Sequence, residues 1–344
     1  MTPYNSLAVR YYCGRFLFAA HRQNTEMFLC DFYILPILLY TILKRGGNMT
    51  YISVAAAAKK WNLSERSVRN YCAIGKIPGA VLAGKTWQIP ENTEKPKRIN
   101  AKAENALLSV LREEKKQQRK GGIYHKVQVD LTYNSNRIEG SRLTHDQTRY
   151  IFETNTIGFE NGAVNVDDVV ETANHFRCID MVIDTAMYTL SETFIKRLHL
   201  TLKNGTSDSR KDWFAVGEYK RIPNEVGGRD TTAPEEVESE ISKLLSDYNA
   251  VSNHTLEQII AFHHDFECIH PFQDGNGRIG RLILFKECLK NNIVPFIIEY
   301  DLKMVYYHGL HEWNREHGYL MDTCLTAQDR FKAYLDYFRI PYSD

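Results

Sequence analysis

The sequence lacks several features that identify stapled or fibrous proteins at once. Its seven cysteines are odd in number, scattered along 344 residues and never spaced as CxxC, which argues against a disulfide framework or a thiolate zinc site. Internal repeats and low-complexity tracts are also missing. Lys and Arg number 43 against 42 Asp and Glu, so no global charge draws the chain to nucleic acid or to a membrane. We therefore expect reduced thiols, a cytoplasmic location and one or two globular domains.

Long hydrophobic runs are scarce, and the one exception lies near the N-terminus. Residues 28–43 are apolar but contain Asp31 and Pro36, and the run is shorter than the roughly 20 residues that a membrane-crossing helix needs. It also lacks the position and the cleavage site of a signal peptide. Residues 44–48, just before the next methionine, are compatible with a coding stretch that resembles a bacterial ribosome-binding site. We therefore interpret residues 1–48 as a leader from a misassigned start, with an apolar membrane anchor as the alternative.

Residues 49–92 contain the signals of a small unit with two helices and a hairpin. Val54–Trp61 is rich in alanine, and Ser64 is placed to cap a second helix. A break containing glycine and proline follows, and then a hairpin over residues 80–89. This order of helix, turn, helix and wing resembles the winged helix-turn-helix of the MerR and excisionase type, in which the second helix enters the DNA major groove.

Basic residues give this part of the chain a local excess of positive charge. Across residues 50–98, nine Lys and Arg face three Glu, so nine minus three leaves six positive charges. Such a patch suits contacts with phosphate groups. We expect Arg66 and Arg69 on the second helix, and Lys85 at the wing tip, to contact DNA. The alternative is a helical adaptor whose lysines are simply solvated.

The remainder of the chain has the periodicity of helices. Residues 93–120 predict a proline-containing linker followed by a highly charged helix with one apolar stripe. Beyond that, apolar residues recur at helical spacing, for example Leu256, Ile259 and Ile260. We therefore predict a mainly α fold, with a helical core over residues 121–344 that follows the linker helix and the small winged unit.

The most informative segment is the string HPFQDGNGRIGR, residues 270–281. A proline and two glycines interrupt the helical pattern, so free backbone N–H groups at the start of a new helix point at one spot and form an anion site. Arg278 and Arg281 lie three residues apart on one face of that helix and can reach the same polyphosphate. Asp274 offers a hard oxygen ligand for Mg²⁺, and His270 can take a proton near neutral pH. This set of groups fits phosphoryl or nucleotidyl transfer.

The same string resembles the signature of the Fic family at every defined position. The resemblance implies a helical-bundle core and a protein adenylyltransferase: His270 deprotonates a Ser, Thr or Tyr hydroxyl for attack on the α-phosphate of ATP, and diphosphate leaves. It further implies that Asp274 carries Mg²⁺. The phosphate groups would be held by the loop and the helix start, through Gly275, Asn276, Gly277, Arg278 and Arg281. Other nucleotide donors such as UTP stay open.

Two further elements resemble the same family. Residues 217–232 resemble its flap, a β-hairpin that aligns a target segment by strand addition, although Lys220 stands where Arg is frequent. Downstream, the resemblance places an adenosine pocket at Tyr306, Tyr307 and Asn314. Ordinary core packing is the alternative for the two tyrosines.

An inhibitory element precedes the core. Ser135, Glu139 and Gly140 match the family's inhibitory motif, and the first two lie one helical turn apart near the end of a helix over residues 131–140. A carboxylate delivered to Arg281 would form a charge-assisted pair in the place of the γ-phosphate. The resemblance therefore implies self-inhibition, or, as in some relatives, a glutamate that positions water to remove AMP. A plain surface glutamate is the alternative.

Two pairs of residues next to the string offer another chemistry. His263 with Glu267, and His264 with Cys268, are i, i+4 pairs that in principle begin a metal site. Core packing is the more frequent fate of such histidines, and we interpret them in that way.

The expected partners follow from these elements. They are ATP, a protein that is modified (another protein or the chain itself), DNA through residues 50–90, and a second copy of the chain in a homodimer. Membrane association is expected only if residues 28–43 act as an anchor. The alternative to an enzyme is a DNA-binding transcriptional regulator whose helical domain senses nucleotide or mediates dimerisation.

Overall fold

Apolar residues at helical spacing and well-formed caps determine the architecture. A computed structural model of the chain describes residues 50–73, 75–96, 106–158 and 163–342. The segment 1–48, for which we expect a leader or an anchor, lies outside the described residues. One compact unit begins at Tyr51. In the described ranges no helix combines the length and the hydrophobicity needed to span a bilayer.

Five short elements make up the N-terminal part: β1 (Tyr51–Ser53), α1 (Val54–Trp61), α2 (Glu65–Ala73), β2 (Val81–Ala83) and β3 (Thr86–Pro90). The hydroxyl of Ser53 accepts from the N–H of Ala56 and caps α1. The strands form an antiparallel sheet in the order β1-β3-β2. Buried Trp61, Val68 and Ile89 join the two helices to this sheet. The sequence predicts both helices and the β2–β3 hairpin, but not strand β1.

The regular elements of the remaining described chain are helices and one two-stranded ladder. The helices are α3 (Ala106–Gln117), α4 (Ile123–Ile138), α5 (His145–Thr154), α6 (Val166–Thr185), α7 (Glu192–Lys203), α8 (Val237–Asn249), α9 (Leu256–Ile269), α10 (Asn276–Asn291), α11 (Lys303–Glu312) and α12 (Gly318–Phe338). The ladder pairs β4 (Glu225–Val226) with β5 (Arg229–Asp230). The expectation of a mainly α fold is confirmed.

Helix α10 lies at the centre of the core. It contacts α4, α6, α7 and α9, and every residue from 276 to 289 is buried. Full burial of an apolar side chain such as Leu282 or Phe285 contributes about 1.5–3 kcal/mol. Because α10 begins at the glycine-rich loop, a deeply buried helix positions that loop.

The chain reverses direction between α9 and α10. The N–H of His270 donates to the carbonyl of Phe266 at 3.0 Å, and His270 itself adopts a left-handed conformation that ends α9. Gly275, with φ of +86°, directly precedes α10, and a Cβ at this position would lie 3.3 Å from Leu202 Cδ2. The reversal brings the imidazole of His270 close to the N-terminus of α10.

The N-terminal part contacts the helical core along the first half of α7. The guanidinium of Arg197 donates to the carbonyl of Ala73 at 3.3 Å. A Cβ on Gly75 would collide with the side chain of Ser191, the residue that caps α7. The N-terminal part is therefore packed against α7, the helix whose C-terminal end supports the glycine-rich loop.

Candidate active site

The loop between α9 and α10 is braced by its own side chains. The amide of Asn276 accepts from the N–H of Phe272 at 2.8 Å and donates to the carbonyl of Phe272 at 2.8 Å. The ring of Phe272 is fully buried and stacks on His199 with 4.0 Å between centroids. His199 accepts from the N–H of Gly217 at Nδ1, so its Nε2 carries the proton and donates to the carbonyl of Asp274 at 3.2 Å. These bonds give the loop one defined shape.

A partly buried cluster of charged side chains lies at the acidic end of the loop. Asp274 Oδ2 is 2.7 Å from Lys203 Nζ and 3.0 Å from Arg278 Nη2. Glu171 contacts both cations, and Asp208 lies 3.0 Å from Lys203. Burial opposes ionisation, but the charges of Arg278 and Lys203 prevail and hold the pKa of Asp274 well below its usual range. Sequence reasoning finds Asp274 and Arg278 but misses the others, because no local spacing connects them to the loop.

The cluster also bears on the expected Mg²⁺ ligand. Asp274, Glu171 and Asp208 each place an oxygen within 4.8 Å of the other two. Lys203 Nζ already contacts all three carboxylates, so they do not form a closed cage of unbalanced negative charge. Mg²⁺ in nucleotide sites takes one or two carboxylates and draws its other ligands from phosphates and water. Asp274, with 48% of its side chain exposed, fits that role.

Arg281 is held by the end of α4. Its Nη2 lies 2.6 Å from Glu139 Oε1 and donates to the carbonyl of Ser135 at 3.0 Å, while its Nε donates to the Ser135 hydroxyl at 3.0 Å. Glu139 directly follows α4, and Gly140, with φ of +102°, turns the chain away. A Cβ on Gly277 would collide with the Glu139 carboxylate. The glycine therefore lets this carboxylate approach the start of α10.

The imidazole of His270 is oriented by the backbone of α9. Its Nδ1 lies 3.3 Å from the carbonyl oxygen of Glu267, an arrangement that places a proton on Nδ1 and leaves Nε2 as the acceptor. Burial, supported by the charge of Lys220, lowers the pKa of His270 to about 4, although Glu139 and Asp274 act in the opposite direction. The ring is therefore neutral at pH 7 and able to accept a proton.

A cavity of about 540 Å³ opens beside His270. Its wall includes His270, Gly277, Arg281, Tyr306 and Tyr307, and also Glu139. The β4–β5 hairpin lines the opposite side. This volume lies within the range of about 300–1,000 Å³ that is usual for small-molecule sites. The structure thus brings the imidazole of His270, the start of α10, Arg281 and Glu139 to one cavity.

The β4–β5 hairpin corresponds to the flap expected over residues 217–232. It turns at the Gly-Gly pair 227–228, whose φ values of 58° and 77° suit a hairpin turn. Arg229 Nη2 lies 2.7 Å from His311 Nε2 and joins the hairpin to α11. Lys220 is buried and donates to the hydroxyl of Thr231 at 2.5 Å, and burial lowers its pKa to about 8. Lys220 therefore fastens the base of the hairpin.

Two of the three residues expected at the adenosine pocket line this cavity. Tyr306 is fully buried, and its hydroxyl lies 2.6 Å from His263 Nε2. Tyr307 is 38% exposed at the cavity wall. Asn314 is exposed in the turn after α11 and is not part of the cavity lining.

The residues expected to contact DNA lie on the N-terminal part. Arg66 and Arg69 are exposed on α2, and Lys85 is exposed in the turn between β2 and β3. Arg69 forms an ion pair with Glu65 at 2.6 Å on the same helix. These three cations are therefore accessible, and none of them lines the cavity described above.

Comparisons with known proteins found a family model and several relatives that match the region containing the loop. Residues 189–287 match the model of the Fic/DOC family. The protein adenylyltransferase Fic of Drosophila willistoni is 30% identical over 223 residues, which cover 62% of this chain and 41% of that protein. The corresponding protein of Drosophila virilis is 29% identical over 186 residues, covering 52% of this chain and 36% of that protein. The chain thus spans about two fifths of the length of these curated relatives.

Solved structures show the same architecture. A Fic domain containing signaling protein from Bacteroides thetaiotaomicron aligns with a TM-score of 0.54 and 24% identity over 67% of this chain and 94% of that chain. Fic-1 from C. elegans aligns with a TM-score of 0.53 and 16% identity over 68% and 72% of the two chains. These likenesses show a Fic-like fold. Residues 189–287 therefore match a Fic domain, and the chain is similar in sequence to Fic protein adenylyltransferases.

Proposed function

We propose that this protein transfers AMP from ATP to a Ser, Thr or Tyr hydroxyl of a target protein, itself included, and that Glu139 inhibits the reaction. The observation that carries the proposal is the convergence of His270, the start of α10 and Arg281 on one cavity, with Glu139 bonded to Arg281 inside it. The curated relatives, which are named protein adenylyltransferases, support the same chemistry.

His270 acts as the general base. Its neutral Nε2 accepts the proton of the target hydroxyl while the hydroxyl oxygen bonds to the α-phosphorus of ATP. The bond from that phosphorus to the oxygen bridging the α- and β-phosphates breaks, and diphosphate leaves with the bonding electrons. Positioned proton transfer of this kind contributes about 10²- to 10⁴-fold to a rate.

The remaining groups position the phosphates and neutralise their charge. Backbone N–H groups at the start of α10 face the anion, and Arg281 pairs with the γ-phosphate. Arg278 holds Asp274 and Glu171 in place and adds positive charge toward the β-phosphate. Mg²⁺ held by Asp274 would stabilise the charge that develops on the departing diphosphate.

Inhibition follows from competition for Arg281. Glu139 Oε1 lies 2.6 Å from Arg281 Nη2, so the carboxylate occupies the position that the γ-phosphate would take beside the guanidinium and repels it. The Glu139 side chain is 27% exposed, so it can move aside without unfolding the core. In the reverse reaction, the same carboxylate would orient a water molecule that removes AMP from a modified protein. Incubation of AMP-modified protein with wild type and with Glu139→Gly tests this, because removal should occur with wild type alone.

The test uses the full chain as wild type, Glu139→Gly and Glu139→Gly/His270→Ala. Each is incubated with Mg²⁺ and ATP labelled at the α-phosphate, and in parallel with ATP labelled at the γ-phosphate. We expect protein-bound label from the α-position only, strongest in Glu139→Gly and lost with His270. Label from the γ-position would indicate phosphate transfer, and label that persists in the double variant would remove His270 as the base.

We also propose DNA binding by the N-terminal part, as in a regulator whose Fic domain senses nucleotide. The exposed Arg66 and Arg69 on α2, together with Lys85 at the tip of the β2–β3 hairpin, support this second function. For each phosphate contact that is lost, the slope of the logarithm of the binding constant against the logarithm of the salt concentration should become shallower by about one. A gel shift that is unchanged in Arg66→Gln/Arg69→Gln would refute the assignment.

A further inference from the structure

On α9 a cysteine, a histidine and an aspartate form a hydrogen-bonded chain. Cys268 Sγ lies 3.4 Å from His264 Nε2, and His264 Nδ1 lies 2.9 Å from Asp265 Oδ1. Cys268 and His264 both line the 540 Å³ cavity that also contains His270. Among the five cysteines of the described ranges Cys268 is the exposed one, whereas the others are buried: Cys72, Cys178, Cys288 and Cys324. The thiol is therefore accessible from the cavity.

This arrangement is that of an activated nucleophile. A thiol lies within reach of an imidazole, and a third group orients the imidazole from its other nitrogen. The ring of Trp313 stacks on His264 with 5.8 Å between centroids and restricts its rotation. Burial opposes protonation of His264, but its hydrogen bonds with Asp265 and Cys268 prevail and raise its pKa to about 9. At neutral pH His264 is therefore an imidazolium, which can donate from Nε2 to the sulfur of Cys268.

We propose that Cys268 is a reactive thiol whose reversible modification by a small-molecule disulfide blocks the cavity. The thiol proton goes to solvent, and Sγ, as the thiolate that accepts a hydrogen bond from the His264 imidazolium, attacks one sulfur of the disulfide. The S–S bond breaks, a new S–S bond to Cys268 forms, and the other half leaves as a thiolate. The attached group then occupies the space next to His270 and Arg281.

Reactivity is measured without any AMP transfer. The full chain, as wild type, His264→Gln and Asp265→Asn, is treated with glutathione disulfide at neutral pH. Mass spectrometry follows the tryptic peptide 244–278, in which Cys268 is the one cysteine. We expect wild type to react at least about tenfold faster than His264→Gln, with Asp265→Asn slower than wild type. Equal rates in wild type and in Asp265→Asn, an exposed position that leaves the core intact, would overturn the proposal, as would a peptide that stays unmodified.

Blocking of the cavity is measured by calorimetry of ATP binding to Glu139→Gly and to Glu139→Gly/Cys268→Ser. We expect glutathione disulfide to abolish binding by the first variant, a reductant to restore it, and the second variant to be insensitive. Unchanged ATP binding after complete modification of Cys268 would refute the blocking. Failure of AMP transfer by Glu139→Gly would refute the proposed function and leave both of these results standing.

Discussion

Replacement of Glu139 by alanine should tighten the binding of ATP. Arg281 Nη2 donates to Glu139 Oε1 at 2.6 Å, in a site where the arginine side chain is only 3% exposed. A hydrogen bond between charged groups contributes about 1.5–3 kcal/mol, and in the proposed mechanism ATP displaces it before the γ-phosphate pairs with Arg281. Without that competition, we expect the Kd for ATP to fall by about 10- to 150-fold.

Calorimetry with the full chain, Mg²⁺ and ATP measures this change directly. Glu240→Ala, an exposed glutamate on α8, is the matched control and should leave the Kd unchanged. AMP, which has no γ-phosphate, should gain much less affinity than ATP from the loss of Glu139. An unchanged Kd for ATP, or an equal gain for ATP and AMP, would refute the competition for Arg281.

Three further perturbations follow from the packing and the charges. Burial lowers the pKa of His199 to about 3, below the 6.5 of an unfolded histidine, so the unfolded state binds the proton first. We therefore expect the contribution of His199 to the free energy of unfolding, measured with urea, to fall by about 2 kcal/mol between pH 7 and pH 5. This part of the pH dependence should vanish in His199→Gln. In thermal unfolding, Gly280→Ala should destabilise by about 1–3 kcal/mol. Its Cβ would lie 2.6 Å from Glu267 Oε1, whereas the control Gly158→Ala meets nothing closer than 3.9 Å. Lys203→Met removes the ammonium group that Glu171, Asp208 and Asp274 share, so Mg²⁺ should bind these carboxylates and raise the Tm of this variant. An equal rise in the Tm of wild type would contradict the conclusion that Lys203 neutralises the three carboxylates.

The loop 270–281 could be interpreted from the sequence because its groups are contiguous and their spacing determines a face of one helix. The pairing of Glu139 with Arg281 joins residues that lie 142 positions apart, and only the family resemblance suggested it. Glu171 comes from α6 and Lys203 from α7, and no local pattern predicts that they join Asp274 in one charge cluster. Long-range charge pairing of this kind depends on how helices pack, which sequence periodicity leaves open.

Two outcomes show the same limitation at smaller scale. Strand β1 has three residues and pairs Tyr51 with Pro90, so its existence depends on a distant partner and not on its own propensity. Core packing is predicted for His264, which is buried, whereas its i, i+4 partner Cys268, for which helical spacing predicts no environment, is exposed at the cavity. Helical spacing assigns a residue to a face, whereas the packing of neighbouring elements decides whether that face is covered.

The mass of the product tests the proposed AMP transfer most directly. Full-length Glu139→Gly is incubated with ATP, Mg²⁺ and a bacterial lysate, and intact and fragment masses are recorded together with released diphosphate. We predict a gain of one AMP on a Ser, Thr or Tyr side chain, one diphosphate per AMP, and neither product with Glu139→Gly/His270→Ala. A product that carries phosphate alone, or AMP transfer that continues without His270, would contradict the assigned chemistry.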